Sequence, residues 1–220
     1  MELLWEYRFE LIFGIWRTIE LTVLSALLAF GMAIMAGLAR ASNVRALAIP
    51  AAVYVEIFRG TSALAQLFWL FYVLPFFGID LTPTQCAVVG LGLCFGAYGA
   101  EVVRASILAV PKAQLDAAKA LNFGWYSTIV VVVLPEALIM MMPLFSNLLV
   151  ELIKATSLVS LITIHDLAFQ AKSIIDRTYR ANTVLPFTLV VYLAMSLCVS
   201  AGMRKLEGAL SRGRRGEIRG

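Results

Sequence analysis

The stretch DAAKALNFGWYSTIVVVVLP, residues 116–135, decides how this chain is organised. It begins polar and alanine-rich, and it lies between two apolar runs that are each long enough to cross a membrane. Alanine favours helix, whereas Asn122 and Gly124 both tolerate a positive φ and can end one. We therefore predict a short helix, a sharp turn and a return to apolar sequence that closes at Leu134-Pro135. A polar helix in this setting is expected at the cytoplasmic membrane surface, where it can dock onto another protein.

The composition assigns the chain to the integral membrane proteins. Of the 220 residues, 61% are hydrophobic, and the mean hydropathy is +0.87. A single soluble core cannot bury that much apolar surface, so the lipid bilayer must serve as the solvent. The net charge of +4 comes from basic residues spread over loops and a tail, without an aromatic-interleaved basic face, which argues against nucleic acid. The three cysteines lie in apolar runs without CxxC spacing, so we expect neither a metal nor another cofactor.

The lengths of the apolar runs predict an all-α fold with five transmembrane helices. Their approximate ranges are 18–38, 49–77, 85–108, 135–155 and 183–203. The second segment is interrupted by Glu56, Arg59 and the step Gly60-Thr61-Ser62. Residues 1–16 are expected to form an extracytoplasmic interfacial segment, residues 17–204 the transmembrane domain, and residues 205–220 a basic cytoplasmic tail.

The distribution of lysine and arginine predicts the orientation. Five crossings place the termini on opposite sides, and most basic residues fall in the loop after the first span, the loop that contains Asp116, and the tail. The positive-inside rule therefore places the N-terminus outside and the C-terminus in the cytoplasm. The connection over residues 157–182 is then extracytoplasmic, and its apolar residues indicate an interfacial helix. His165 beside Asp166 has no accompanying nucleophile, so catalysis is not expected there.

Small residues mark one face of the third span. Gly92, Gly96 and Ala100 recur every four residues, which allows a second helix to approach closely in lipid. The sequence leaves open whether that helix belongs to the same chain or to another copy. Glu101 and Arg104, one turn apart, are expected to pair near the cytoplasmic interface.

Charged residues inside predicted spans are candidates for a transport path. Asn147, Glu151 and Lys154 lie at helical spacing on one side of the fourth span. They are expected to line the substrate path and to present both charge signs to a zwitterion; the alternative is an internal salt bridge that only holds helices together. Glu56 and Arg59 are assigned to the same path, with a stabilising Glu-Arg pair as the alternative.

The residues of the opening stretch resemble the EAA loop of the permease subunits of bacterial ATP-binding-cassette importers. Asp116 stands in place of the usual Glu, followed by Ala117 and Ala118, and Asn122 stands where Gly is usual. Three further stretches are similar to the polar amino acid subfamily: YVEIFRGTSALAQLF from Tyr54, FGAYGAEVVRASILAVPKAQ from Phe95, and NLLVELIKATSLVSLITIHDL from Asn147. The likeness extends over about residues 17–204, with Ser62 and Ala113 departing from the usual Pro and Gly. Ectoine and opine importers belong to the same group.

The resemblance implies a type I importer permease fold with a cytoplasmic coupling helix, in a bacterial inner membrane. Asp116, Ala117 and Ala118 would form the docking surface for a separate ATPase subunit dimer, and Asn122 with Gly124 would form the turn that fixes its angle. The chain has no GxxxxGK[ST] loop, so it is not expected to be an enzyme. The other implied partners are a second permease chain, identical or related, and a soluble extracytoplasmic binding protein.

Two other classes of function fit the sequence less well. A secondary transporter or channel, which needs no ATPase, normally shows repeated spans within the chain, and no such pairing is evident. A membrane-embedded enzyme would need a convergent catalytic set, and the sequence has one histidine and none of the motifs HExxH or GxSxG.

Overall fold

A computed structural model describes residues 2–42 and 44–217, and every regular element within them is helical. The α-helices are α1 (Glu2–Glu6), α2 (Arg8–Ala41), α3 (Arg45–Gly60), α4 (Ala63–Phe68), α5 (Pro83–Leu108), α6 (Lys112–Ala120), α7 (Trp125–Ser127), α8 (Leu134–Ala155), α9 (Leu167–Thr178) and α10 (Ala181–Glu217). The π-helical segments are Trp69–Val73 and Thr128–Val133, and the 3-10 segments are Leu74–Phe77 and Thr156–Ile162. The all-α prediction is confirmed.

Four helical segments are long and apolar enough to cross a membrane, and a bent pair raises the total to as many as five within the described residues. The bent pair consists of Arg45–Gly60 and Ala63–Phe77, which meet at an angle of 102°. The interruption predicted at Gly60-Thr61-Ser62 is therefore present as a sharp break in the chain's second apolar segment.

The centre of the bundle is the contact between α2 and α5. A Cβ built on Gly99 would lie 2.7 Å from the Cβ of Ala33, and one on Gly96 would lie 2.8 Å from the Cβ of Met32. Only glycine allows the two backbones to come this close. The sequence left open whether the small-residue face of the third span packs against the same chain or another copy. In the structure this face of α5 packs against α2 of the same chain.

Three helices extend beyond the spans predicted for them. The helix of the first span begins at Arg8, and the last helix continues to Glu217, so part of the predicted tail is helical; its residues 218–220 lie outside the described residues. The fourth span begins before Pro135, because α7, the π-helical segment 128–133 and α8 follow one another without a gap. Proline normally ends a helix because it lacks the N–H and its ring crowds the preceding turn. The π-helical turns before it change the hydrogen-bond pattern at that point and accommodate the residue.

Close packing at Gly99 predicts a measurable loss of stability in Gly99→Ala. The added methyl group must push α2 and α5 apart, and we expect this overpacking to cost about 1–3 kcal/mol, seen as a lower apparent melting temperature of the detergent-solubilised chain. Gly31→Ala on α2 is the matched control, because no atom lies within 4 Å of a Cβ at that position. A Gly99→Ala chain as stable as the Gly31→Ala chain would contradict the packing described above.

Candidate functional site

Helix α6 is the polar helix that the sequence predicted between the third and fourth spans. It starts at Lys112, directly after Pro111, whose fixed φ suits a helix entrance. Asp116 therefore lies in the middle of the helix and does not cap its start. The residues from Lys112 to Leu115 are good helix formers, which extends the helix by one turn toward the N-terminus. Asp116 is exposed, and its Oδ1 lies 3.5 Å from Lys119 Nζ.

The turn after α6 has the geometry that Asn122 was predicted to provide. Asn122 has a φ of 57°, its N–H donates to Lys119 O at 2.9 Å, and the N–H of Phe123 donates to Ala118 O at 3.0 Å. These two bonds define a Schellman motif, which ends a helix through one left-handed residue. Gly124 does not have a positive φ. Asn122 alone supplies the left-handed residue, because one such residue is sufficient to close the motif.

The alanines of α6 lie on two different faces. Ala117 is exposed, whereas Ala118 is 2% exposed and lies on the face that turns into the chain. Asp116 and Ala117 can therefore contact another protein, whereas Ala118 can only help to pack α6 against the rest of the chain. The alternation follows from helical geometry, since neighbouring residues point about 100° apart.

A cluster of arginines surrounds one carboxylate where α2, α3 and α5 meet, and we call it the Glu101 cluster. Glu101 accepts hydrogen bonds from Arg40 and from Arg104 Nη1 at 3.3 Å, and it forms an ion pair with Arg59 Nη1 at 3.8 Å. The predicted pairing of Glu101 with Arg104 is confirmed. The alternative of a Glu56-Arg59 pair is wrong among the described side chains, because Arg59 reaches Glu101 instead. Arg40 was not predicted in this cluster, because its one signal in the sequence was a basic residue at the end of an apolar span.

Helix α8 carries an exposed polar face made of Asn147, Glu151 and Lys154. All three are exposed, while Leu152 and Ile153, on the other side of the helix, are buried. Among the side chains that the structure describes, neither Glu151 nor Lys154 has an ion-pair partner within 4.0 Å. The internal salt bridge offered as an alternative is therefore not formed.

Lys154 also borders a cavity between α8 and α10 with a volume of about 510 Å³. Tyr192, Ser157 and Ser196 are among the residues that line it. A cavity with these groups can hold water or a polar ligand beside the ammonium group, which reduces the cost of a charge at membrane depth.

A second group of hydrogen bonds surrounds Asp166, which is completely buried. Its Oδ1 accepts the N–H of Phe169 at 2.9 Å and caps α9, and its Oδ2 accepts the hydroxyl of Tyr192 at 3.3 Å. The N–H of Leu167 donates to Thr18 Oγ1 at 3.2 Å. Burial raises the pKa of Asp166 to about 6, because desolvation disfavours the charged form. These bonds join α2, α9 and α10. The 157–182 connection contains the helix α9, as predicted.

His165 stacks on the ring of Phe169, with 4.3 Å between the ring centroids. Asp166 directs its oxygens to backbone and tyrosine donors. The two neighbouring residues therefore have separate packing and capping roles.

Comparisons with known proteins agree with this geometry. The sequence profile of the family described as "Binding-protein-dependent transport system inner membrane component" matches residues 11–212. The chain is 42% identical over 210 residues to the probable amino-acid ABC transporter permease protein y4tF of Sinorhizobium fredii, covering 91% of this chain and 87% of the relative. It is 41% identical over 180 residues to the L-cystine transport system permease protein TcyB of Bacillus subtilis, covering 82% and 74%.

A solved structure extends the likeness to three dimensions. The crystal structure of an amino acid ABC transporter with histidines contains a chain that superposes with a TM-score of 0.87 at 29% sequence identity. The match covers 93% of this chain and 95% of that one. The permease fold expected from the sequence is thereby confirmed.

Asp166 predicts a pH-dependent stability that its asparagine variant lacks. Its folded-state pKa of about 6 lies above the ordinary value of 3.8. Between these values the folded chain binds a proton that the unfolded chain does not, so stability rises as pH falls from 7 toward 4, by roughly 3 kcal/mol in total. Asp166→Asn keeps an N-cap acceptor but cannot titrate.

The measurement is the apparent melting temperature of both chains in detergent between pH 4 and pH 7. The difference between wild type and Asp166→Asn isolates this carboxyl from all other titrating groups. The melting temperature of the wild-type chain is expected to rise relative to that of the variant as pH falls. A difference that stays constant with pH would show that Asp166 is not the titrating group.

Proposed function

The chain belongs to the family of binding-protein-dependent transport system inner membrane components, and we propose that it is the permease subunit of an ATP-driven importer of polar amino acids. One observation carries the coupling part of this proposal. Helix α6 stands outside the spans, presents Asp116 and Ala117, and is held at a fixed angle by the Schellman motif at Asn122. A short rigid helix of this kind suits the cleft of a separate ATPase subunit.

The proposed docking surface consists of the exposed residues of α6, with Asp116 available to pair with a basic residue of the ATPase. Ala118 supports this surface from beneath. Asn122 sets the direction in which the chain leaves α6, and Gly124 belongs to the same turn. The ATPase dimer, a second permease chain and a soluble extracytoplasmic binding protein complete the proposed importer.

The proposed substrate path runs along the polar face of α8. Asn147, Glu151 and Lys154 are exposed on one side and present both charge signs, as a zwitterionic solute requires. A second permease chain facing this side would shield the three residues from lipid and enclose a wet passage. Glu56 and Arg59 on α3 are assigned to the same passage.

The relatives support an amino acid as the substrate, because their names describe amino-acid and L-cystine transport. Calorimetric titration of the cognate binding protein with the L-amino acids, ectoine and octopine would identify the solute that it binds.

The proposed orientation places α6 and the C-terminus in the cytoplasm, following the positive-inside rule.

Alternating access follows from these parts. ATP binding closes the ATPase dimer, draws the two α6 helices together and opens the passage to the loaded binding protein. Hydrolysis and release of the nucleotide reverse the movement. The ATP-driven scheme requires uptake to depend on the ATPase, whereas a secondary transporter or channel would move solute in proteoliposomes that contain this permease alone.

The docking proposal predicts that Asp116→Lys combined with Ala117→Leu abolishes assembly and transport. Both side chains are exposed, so the stability of the isolated permease should change by no more than about 0.5 kcal/mol. Co-purification with the ATPase subunit and ATP-dependent uptake are the measurements. Full assembly and uptake by this double variant would show that α6 is not the docking helix.

Ala118→Leu serves as the contrasting variant on the same helix. Because Ala118 is 2% exposed, the larger side chain should disrupt the packing of α6 and lower the melting temperature of the isolated permease. The double variant thus tests the surface that contacts the ATPase, and Ala118→Leu tests the packing of α6 against the rest of the permease.

The path proposal predicts a weaker apparent affinity for substrate in Glu151→Gln. Loss of one charged hydrogen-bonding partner should raise the KM of uptake roughly tenfold or more. Glu20→Gln is the matched control, because Glu20 pairs with Arg17 on α2 and is not part of the α8 face. Unchanged KM and uptake rate in Glu151→Gln would remove this residue from the path.

A further inference from the structure

The break in the second apolar segment leaves backbone groups that need partners. Helix α3 ends at Gly60, so the carbonyls of its last four residues, 57–60, have no N–H donor within the helix. In a membrane protein such groups must be satisfied by the protein itself or by a wet cavity. The side chains that supply the donors therefore determine whether the bend is stable.

Gln66, on α4, supplies one of these donors across the bend. Its Nε2 donates to Phe58 O at 2.9 Å and to Thr61 Oγ1 at 2.7 Å. The hydroxyl of Thr61 in turn donates to Ile57 O at 2.8 Å. One amide group and one hydroxyl group thus cap the end of α3 from beyond the break.

The direction of the Gln66 amide follows from its partners. A carbonyl oxygen can only accept, and the Thr61 hydroxyl has already given its proton to Ile57, so both positions require the NH₂ group of Gln66. The other end of the amide, Oε1, is buried without a hydrogen-bond partner among the described residues. The amino group of Gln66 therefore holds the bend, and its carbonyl oxygen takes no part in it.

The capped segment directs Arg59. This residue lies between Phe58 and Thr61, the two residues that Gln66 holds, and its guanidinium reaches Glu101 Oε2 at 3.8 Å and stands 5.5 Å from the ring centroid of Tyr98. A change in the backbone at the bend would redirect the arginine away from both contacts.

We propose that Gln66 is a positioning residue for transport: by closing the bend between α3 and α4, it fixes the direction in which Arg59 enters the substrate path. This inference rests on the proposed function, in which Arg59 belongs to that path. Gln66 acts through backbone carbonyls and does not need to touch the solute.

The test uses Gln66→Met, which keeps the length of the side chain and removes both donors. Uptake of the amino acid selected by calorimetry is measured in proteoliposomes with the complete importer. We expect Gln66→Met to raise KM roughly tenfold in the wild-type background. In the Arg59→Gln background we expect no further rise beyond about twofold, because the two residues act in series. Equal rises in both backgrounds would overturn the proposal.

A second measurement reports the bend directly. Spin labels at Val53 and Phe76, both exposed and on opposite arms of the bend, give a distance distribution in the assembled importer. The distribution should shift or broaden in Gln66→Met and remain unchanged in Gln85→Met, which alters a capping glutamine at the start of α5. An unchanged distribution in Gln66→Met would also refute the role.

Thr61→Val and Thr61→Ser provide the test if Gln66→Met does not yield folded protein. Valine removes the hydroxyl that links Gln66 to α3, whereas serine keeps it, so only valine should raise KM and alter the label distance. Equal behaviour of the two variants would refute the proposal. If the wild-type importer shows no ATP-dependent uptake, the proposed function fails, while the label distances still decide whether Gln66 holds the bend.

Discussion

The close contact between α2 and α5 is the interaction on which the rest of the structure depends. Lipid tails are as apolar as the side chains of a transmembrane helix, so burial of apolar surface gives little drive for helices to associate. Direct packing must supply the attraction, and it requires small residues such as Gly96 and Gly99 facing Met32 and Ala33. Once these two helices are joined, α3, α8 and α9 each have a surface on which to pack, and the Glu101 cluster can form between α2, α3 and α5.

The need to satisfy backbone groups explains where the helices are irregular. The sharp break after Gly60 is compensated by Thr61 and Gln66, and the transition after Ala155 by the hydroxyl of Thr156, which donates to Ile153 O at 2.7 Å. The proline at position 135 is accommodated by π-helical turns. In each case the departure from a straight helix occurs where nearby side chains or an altered hydrogen-bond pattern can accept it. The polar residues at these positions therefore have structural roles beside any role in transport.

The features predicted well from sequence depend on local chemistry. The break at residues 60–62 and the left-handed turn at Asn122 follow from residues whose backbone preferences are strong. The partner of Arg59 could not be predicted in the same way, because Glu101 lies on another helix and sequence spacing favoured the nearer Glu56. The burial of Ala118 likewise depends on how α6 rests against the bundle. For the candidate site, the sequence thus identified the exposed residues of α6 and the polar face of α8, while their packing and pairing required the fold.

Charge pairing within the chain differs between its two charged regions, and the difference bears on the proposed mechanism. The carboxylate of Glu101 is shared by three arginines of the same chain, whereas Glu151 and Lys154 find no ion-pair partner among the described side chains. Lipid cannot solvate such groups, which supports a partner surface or a wet passage along α8. From Trp125 to Ala155 the helix is continuous, with a length of about 45 Å at 1.5 Å per residue, and Asn122 lies just before it. In the proposed mechanism a movement of α6 at one end of this helix would therefore reach Glu151 near the other through the π-helical turns at residues 128–133 and past Pro143.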